Sequence, residues 1–220
     1  MVSALTRKFS VLLVLLAASI GPVLAQRGMD NINSNGQLVL AARNGLVPRV
    51  EQLLAEGAQV NSRDRNGDSP LNMAASKGNV ALVDVLLRAK ADVNLANLAG
   101  VTPLMSAAYA GNAEIVRKLL AAGARADAMD RVKKNAAIYA AGQGCAACLE
   151  QLLQAGTPVD ARLDHQLTLL MWTAGYGQES TAKLLLDKGA DRSLRDDRGK
   201  TAADIARELN HTALAQLLSP

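Results

Sequence analysis

Paired leucines recur along the chain every 33 residues: Leu53-Leu54, Leu86-Leu87, Leu119-Leu120, Leu152-Leu153 and Leu185-Leu186. Each pair closes a short stretch whose apolar positions fall at helical spacing. Ile115, Val116, Leu119 and Leu120, at i, i+1, i+4 and i+5, share one helix face. The pattern predicts a helix over 112–121 preceded by a shorter one over 103–110. Between the two stands Gly111, and the same place is held by Gly45, Gly78, Gly144, Gly177 and Asn210. Asn is the residue that best imitates glycine in a left-handed turn. Gly123, like Gly57, Gly156 and Gly189 in their units, ends the second helix as a left-handed cap, a place taken by Lys90 in the second unit.

The polar positions between these stretches are as regular. Asn97-Leu98-Ala99-Gly100-Val101-Thr102-Pro103-Leu104 is matched by Asp64-Arg65-Asn66-Gly67-Asp68-Ser69-Pro70-Leu71. Asp or Asn opens a turn through its side chain and Gly tolerates positive φ within it. Thr102 or Ser69 then caps a helix whose first position is Pro103 or Pro70, where the missing N–H costs nothing. Helices this short are unstable alone. A period of roughly 20 to 50 residues means units stacked in an array, each covering its neighbour's apolar face.

The Gly-x-Thr-Pro-Leu opening, Ala107-Ala108, the Leu-Leu-x-x-Gly-Ala ending and Gly189-Ala190-Asp191 resemble the ankyrin repeat family. The resemblance covers residues from about Ser34 to Pro220. It implies an all-α repeat solenoid of about six helix-turn-helix units with short β-hairpin fingers, the inner helices and fingertips lining a concave face. The unit boundaries fall near 35–63, 64–96, 97–129, 130–162, 163–195 and 196–220. The His that follows Thr-Pro-Leu in the family is replaced by Asn72, Met105, Ile138, Met171 and Asp204, which puts its capping hydrogen bonds in doubt. The fourth unit departs most, with Lys133, Asn135, Ala136 and Ala137 in place of Gly, Thr, Pro and Leu. The first unit lacks a finger and its helix is expected to begin near Gln37. Both end units read as caps with a more polar outer face.

The first 25 residues stand outside the repeat. Arg7 and Lys8 precede the apolar run from Ser10 to Ile20, Gly21-Pro22 breaks it, and Val23-Leu24-Ala25 leads to Gln26. This is the layout of a cleaved secretory signal, expected over 1–25 and followed by a short linker over 26–34. The run is short for a membrane span, although retention as an anchor is the alternative. The expected destination is the periplasm or the exterior, with no membrane association after cleavage.

About half the residues are hydrophobic, but aromatic residues supply only 2%, so the core is built of small and unbranched side chains. The net charge of +4 loses Arg7 and Lys8 on cleavage, leaving 22 basic against 20 acidic residues, or +2. That near balance argues against a nucleic-acid partner. Cys145 and Cys148 form a Cys-x-x-Cys at the start of a second helix. The register places Cys148 with Leu82 and Ile115 and Cys145 with Asn79 and Asn112, which favours two inert thiols. A structural disulfide is the second reading, and a redox-active pair the last, since the strand that precedes such a motif in thioredoxin-like folds is missing. His165 and His211 lie far apart without ligands at zinc spacing, so no metal is expected. No phosphate loop, nucleophile elbow or paired carboxylates point to catalysis or to a cofactor.

After Phe9 in the signal, the four remaining aromatic residues are Tyr109, Tyr139, Trp172 and Tyr176, all in first helices of units three to five. Leu98, Val101, Val132 and Leu167 in the fingers are apolar where a solvated turn is polar, and Arg131, Lys133 and Lys134 make one fingertip basic. Tyr139 and Trp172 share one register, in which the alternative is a half-buried packing role. These residues predict a partner-binding strip on the concave face. The expected function is non-catalytic binding of a partner protein by a monomer. The alternatives are a companion of periplasmic oxidative defence, a role the resemblance permits because some exported bacterial ankyrin proteins similar to this one accompany catalase, and an immunity protein against a secreted toxin.

Overall fold

A computed structural model describes residues 33–219. The expected signal over 1–25, and all but the end of the expected linker, lie outside the described residues. Twelve α-helices are present among those described, in six antiparallel-style pairs. They are α1 (Ser34–Arg43) with α2 (Val47–Ala55), α3 (Pro70–Ser76) with α4 (Val80–Arg88), and α5 (Pro103–Tyr109) with α6 (Ala113–Ala121). The remainder are α7 (Ala136–Gln143) with α8 (Ala146–Gln154), α9 (Leu169–Tyr176) with α10 (Glu179–Asp187), and α11 (Ala202–Glu208) with α12 (Thr212–Leu218).

First helices stack on first helices in chain order, and second helices from α2 to α10 stack likewise, giving a two-layer helical solenoid. The first layer packs more closely because its facing positions are alanines. Ala74, Ala75, Ala107, Ala108, Ala140, Ala141, Ala174 and Ala206 are all fully buried, and small side chains let helix axes approach. The second layer carries the larger Leu53, Leu86, Leu119, Leu152 and Leu185 as its buried ridge. A narrow layer against a wide one makes the array curve, with the first helices on the inside.

Each first helix begins at a capping side chain: Asn33, Ser69, Thr102, Asn135, Thr168 or Thr201 accepts the N–H three residues on. The cap at Asn33 starts α1 before Gln37, three residues earlier than the apolar pattern indicates. Three of the five positions that lack the family His still bond the helix start, while Asn72 instead donates to Leu95 O and Val101 O and Ile138 has no polar side chain. Met105 and Met171 offer sulfur to the N–H of Thr102 and Thr168, and Asp204 takes both the N–H and the hydroxyl of Thr201.

The turn between paired helices has a second constraint besides its left-handed backbone. The residue after each turn leans back over the turn of the preceding unit. Asn112 Nδ2 donates to Gly78 O, and Gln178 Nε2 donates to Gly142 O at 3.0 Å. A Cβ on Gly144 would come within 2.9 Å of Gln178 Cδ, whereas one on Gly111 would meet nothing within 4 Å. Cys145 is the residue that faces Gly111, and it is joined to Cys148 by a disulfide. The inert-thiol reading is therefore corrected. Cys148 is buried in the core as its register implies, but Cys145 at the helix start lies within reach of it, where asparagine caps the neighbouring helices.

The fingers differ from the expectation in form. No strand is present among the described residues. Each finger is a single tight turn closed by backbone hydrogen bonds within itself, as in Asn97 N–H to Val101 O with Gly100 N–H to Asn97 O, and Asp130 N–H to Lys134 O with Lys133 N–H to Asp130 O. Successive fingers are tied by Leu98 N–H to Asn66 O, Arg131 N–H to Ala99 O and Asp197 N–H to His165 O. One bond per rung is too few to make a β-ladder.

The irregular finger is also not the one expected. The 130–134 turn is regular, because Asp130 Oδ1 accepts from both Val132 and Lys134 N–H at 2.9 Å and Lys133 adopts the positive φ that glycine has elsewhere. The next finger has Leu163 where Asp or Asn stands in the others, so nothing organises the turn from its first residue. It forms a short 3-10 turn over Asp164–Gln166, with His165 and Gln166 both at positive φ. A Lys133–Asp164 ion pair at 3.1 Å links these two fingers.

Candidate functional site

Five of the candidate residues, four on the first helices and one on a finger, come together on the inner side of the array. Tyr109, at the end of α5, meets Tyr139 of α7 edge to face with ring centroids 5.8 Å apart. Trp172 and Tyr176, one helical turn apart on α9, stack at 6.0 Å with an interplanar angle of 17°. Lys134 bridges the two pairs. Its ammonium lies 5.0 Å from the Trp172 ring centroid and 5.9 Å from that of Tyr139, both within cation–π range. The result is a continuous strip, Tyr109–Tyr139–Lys134–Trp172–Tyr176, crossing three units.

Each member is positioned by the scaffold beneath it. Lys134 is fixed at both backbone groups by the finger turn, so its side chain leaves from a defined point. Tyr139 donates its hydroxyl to Asp130 Oδ2 at 2.5 Å. Burial and the adjacent Asp130 carboxylate together push the Tyr139 phenol well above its ordinary value, so it stays a neutral donor. Tyr176 lies over Gly142, whose missing side chain makes room for the ring; a Cβ there would stand 3.4 Å from it. Tyr139 and Trp172 are half-buried and pack against the core, while Tyr109 and Tyr176 are 60% and 52% exposed. The indole N–H of Trp172 is buried without an acceptor.

The fingers split into two groups. Leu98 and Val132 are 56% and 67% exposed at adjacent fingertips. Val101 and Leu167 are half-buried against the core and belong to the scaffold. Met129, exposed just before the 130–134 finger, was not legible as a surface residue, because it lies in the variable stretch between units. The second role of Asp130 was likewise hidden: its place marks a turn residue, and nothing in the spacing announces that Tyr139 reaches back to it.

Among the described residues, no group of three or more metal-ligating side chains converges, and no helix is long and apolar enough to cross a membrane. His165 pairs with Asp197 at 2.8 Å on neighbouring fingers, and His211 leans over Gly177 at the start of α12. The two histidines therefore occupy separate structural places.

Stacked helix pairs with left-handed turns, joined by short fingers beside an inner helical face, define an ankyrin-type solenoid. The family model for ankyrin repeats (3 copies) matches residues 38–131 and 137–220, and the chain belongs to the ankyrin repeat family. Among solved structures it is similar to that titled "Crystal Structure of EF0377 an Ankyrin Repeat Protein". The identity is 29% and the TM-score 0.75, over 84% of this chain and 96% of that one. The search of curated proteins gives no match. Ankyrin repeats are generally non-catalytic scaffolds that bind protein partners.

Proposed function

We propose that this protein is a non-catalytic interaction module, exported to the periplasm, that holds a partner protein along the aromatic strip of its inner face. The observation that carries the reading is the continuity of the strip. The chain's only tryptophan and all three of its tyrosines lie side by side there, with Leu98 and Val132 exposed nearby. Tyr109 and Tyr176 stand more than half exposed, and large aromatic side chains on an open surface are the usual condition of a binding hot spot. Export is supported by the basic, apolar and small-residue order of the first 25 residues, and by the Cys145–Cys148 disulfide, a bond that persists in oxidising compartments.

The test is the double substitution Trp172→Ala with Tyr176→Ala in the mature chain, assayed by co-purification from the native host. Loss of the partner with unchanged helical circular dichroism is the expected result. Retention of the partner by the double variant places the site elsewhere. N-terminal sequencing of the purified protein, expected to start at Gln26, tests export.

A further inference from the structure

Resting on the reading just given, we propose that the segment bound on the strip is acidic: a peptide stretch of the partner whose carboxylates meet Lys134 and the basic fingertips while an apolar side chain lies on Tyr176 and Trp172. The inference comes from which charges on this side of the molecule are already spent. Every carboxylate in the fingers has a partner within the chain. Asp64 is held by Arg43, Asp68 by Asn97, Asp130 by Tyr139, Asp164 by Lys133, Asp196 by Arg198 and Asp197 by His165.

The cations are in a different state. Arg65 and Arg131 occupy the same fingertip place two units apart, and both are exposed with no side-chain partner. Lys77 is also exposed and unpaired, at the end of α3, in the place that Tyr176 holds on α9. Lys134 has only the faces of Tyr139 and Trp172. A cation lying on aromatic rings can swing toward an arriving carboxylate at little cost, since the rings hold it less tightly than an anion does.

The polar groups beneath the strip are enclosed or already spent. The Trp172 N–H lacks an acceptor, and the Tyr139 hydroxyl is committed to Asp130. Thus the surface presents positive charge around an apolar floor, although the mature chain as a whole is near neutral. Asp68, Asp130 and Asp197 keep their charge, since their partners are neutral, but Asp130 is buried, so a cationic segment meets four cations without a carboxylate partner against two accessible carboxylates.

Random dodecapeptides displayed on phage test the proposal when selected on the full mature chain and counted against the Trp172→Ala/Tyr176→Ala variant. Peptides enriched on the unmodified chain and lost on the variant are expected to carry net negative charge and at least one large apolar residue. One enriched peptide is then titrated while the emission of Trp172 is followed. Its affinity should fall at least tenfold in Lys134→Gln and in 0.5 M salt, roughly the loss of one or two charge-assisted contacts. Strip-dependent peptides that are neutral or basic, or affinities indifferent to Lys134→Gln and to salt, overturn the acidic assignment while leaving the strip as the site. Enrichment that persists on the double variant, or no enrichment at all, overturns both this inference and the placement of the site.

Discussion

Substituting alanine at Gly144 and, separately, at Gly111 isolates what stacking adds to the turn. The two glycines hold the same place in successive units and nearly the same backbone, φ 73° and 69°. A side chain in that left-handed conformation costs about 1–2 kcal/mol at either position. At Gly111 the cost ends there, because a Cβ meets nothing within 4 Å. At Gly144 the new methyl stands 2.9 Å from Gln178 Cδ and displaces the amide that donates to Gly142 O. Losing that bond adds about 1 kcal/mol, the net worth of an ordinary hydrogen bond. Urea denaturation of the mature chain should therefore rank Gly144→Ala about 1 kcal/mol below Gly111→Ala, with the denaturant slope unchanged. In a Gln178→Ala background the difference should vanish, since the group that crowds Gly144 is gone. Equal costs for the two glycines, or a gap that survives Gln178→Ala, would refute the claim that inter-unit contact, and not only φ, demands glycine at Gly144.

Other outcomes follow from single residues. Lys90 keeps the left-handed φ of 60° where its counterparts are glycine, so Lys90→Gly should stabilise the chain by about 1 kcal/mol, read as a higher urea midpoint. Alkylation of the denatured, unreduced protein should add no mass at Cys145 or Cys148, and two adducts should follow reduction; modification without reduction would contradict the disulfide. Thr201's N–H and hydroxyl hold the Asp204 carboxyl below its ordinary value of 3.8, against an opposing effect of burial and with help from Arg207. A depressed folded value means the stabilisation is complete above 3.8 and is lost as pH falls through the folded value. The amides of α11 should accordingly lose hydrogen-exchange protection below pH 3.8, and Asp204→Asn should show weaker protection with a flatter pH response.

The architecture was legible because it is repeated: a turn glycine or a Leu-Leu pair seen five times over declares its role through spacing alone. Local departures were harder to read, since residue identity does not say which substitute can do the same work. Asn135 and Lys133 look wrong in the 130–134 unit yet cap and turn as Thr and Gly do. Leu163 looks harmless, but it removes the one side chain that organises a finger, and there the backbone departs from the pattern. The aromatic residues could be named from the sequence but not joined. The bridge by Lys134 crosses from a finger of one unit to a helix of the next, and its geometry depends on Asp130 holding both the turn and Tyr139. The Cys145–Cys148 pairing was obscured by the register itself, which assigns both positions ordinary packing roles.

The central claim is that the partner lies on the inner aromatic strip. A photo-crosslinking amino acid placed at Tyr176, on the strip, and at Arg117, exposed on α6 in the outer layer, tests it in the native host. The account predicts a discrete adduct from Tyr176 that Lys134→Gln weakens, and none from Arg117. An adduct formed at Arg117 and not at Tyr176 would contradict it.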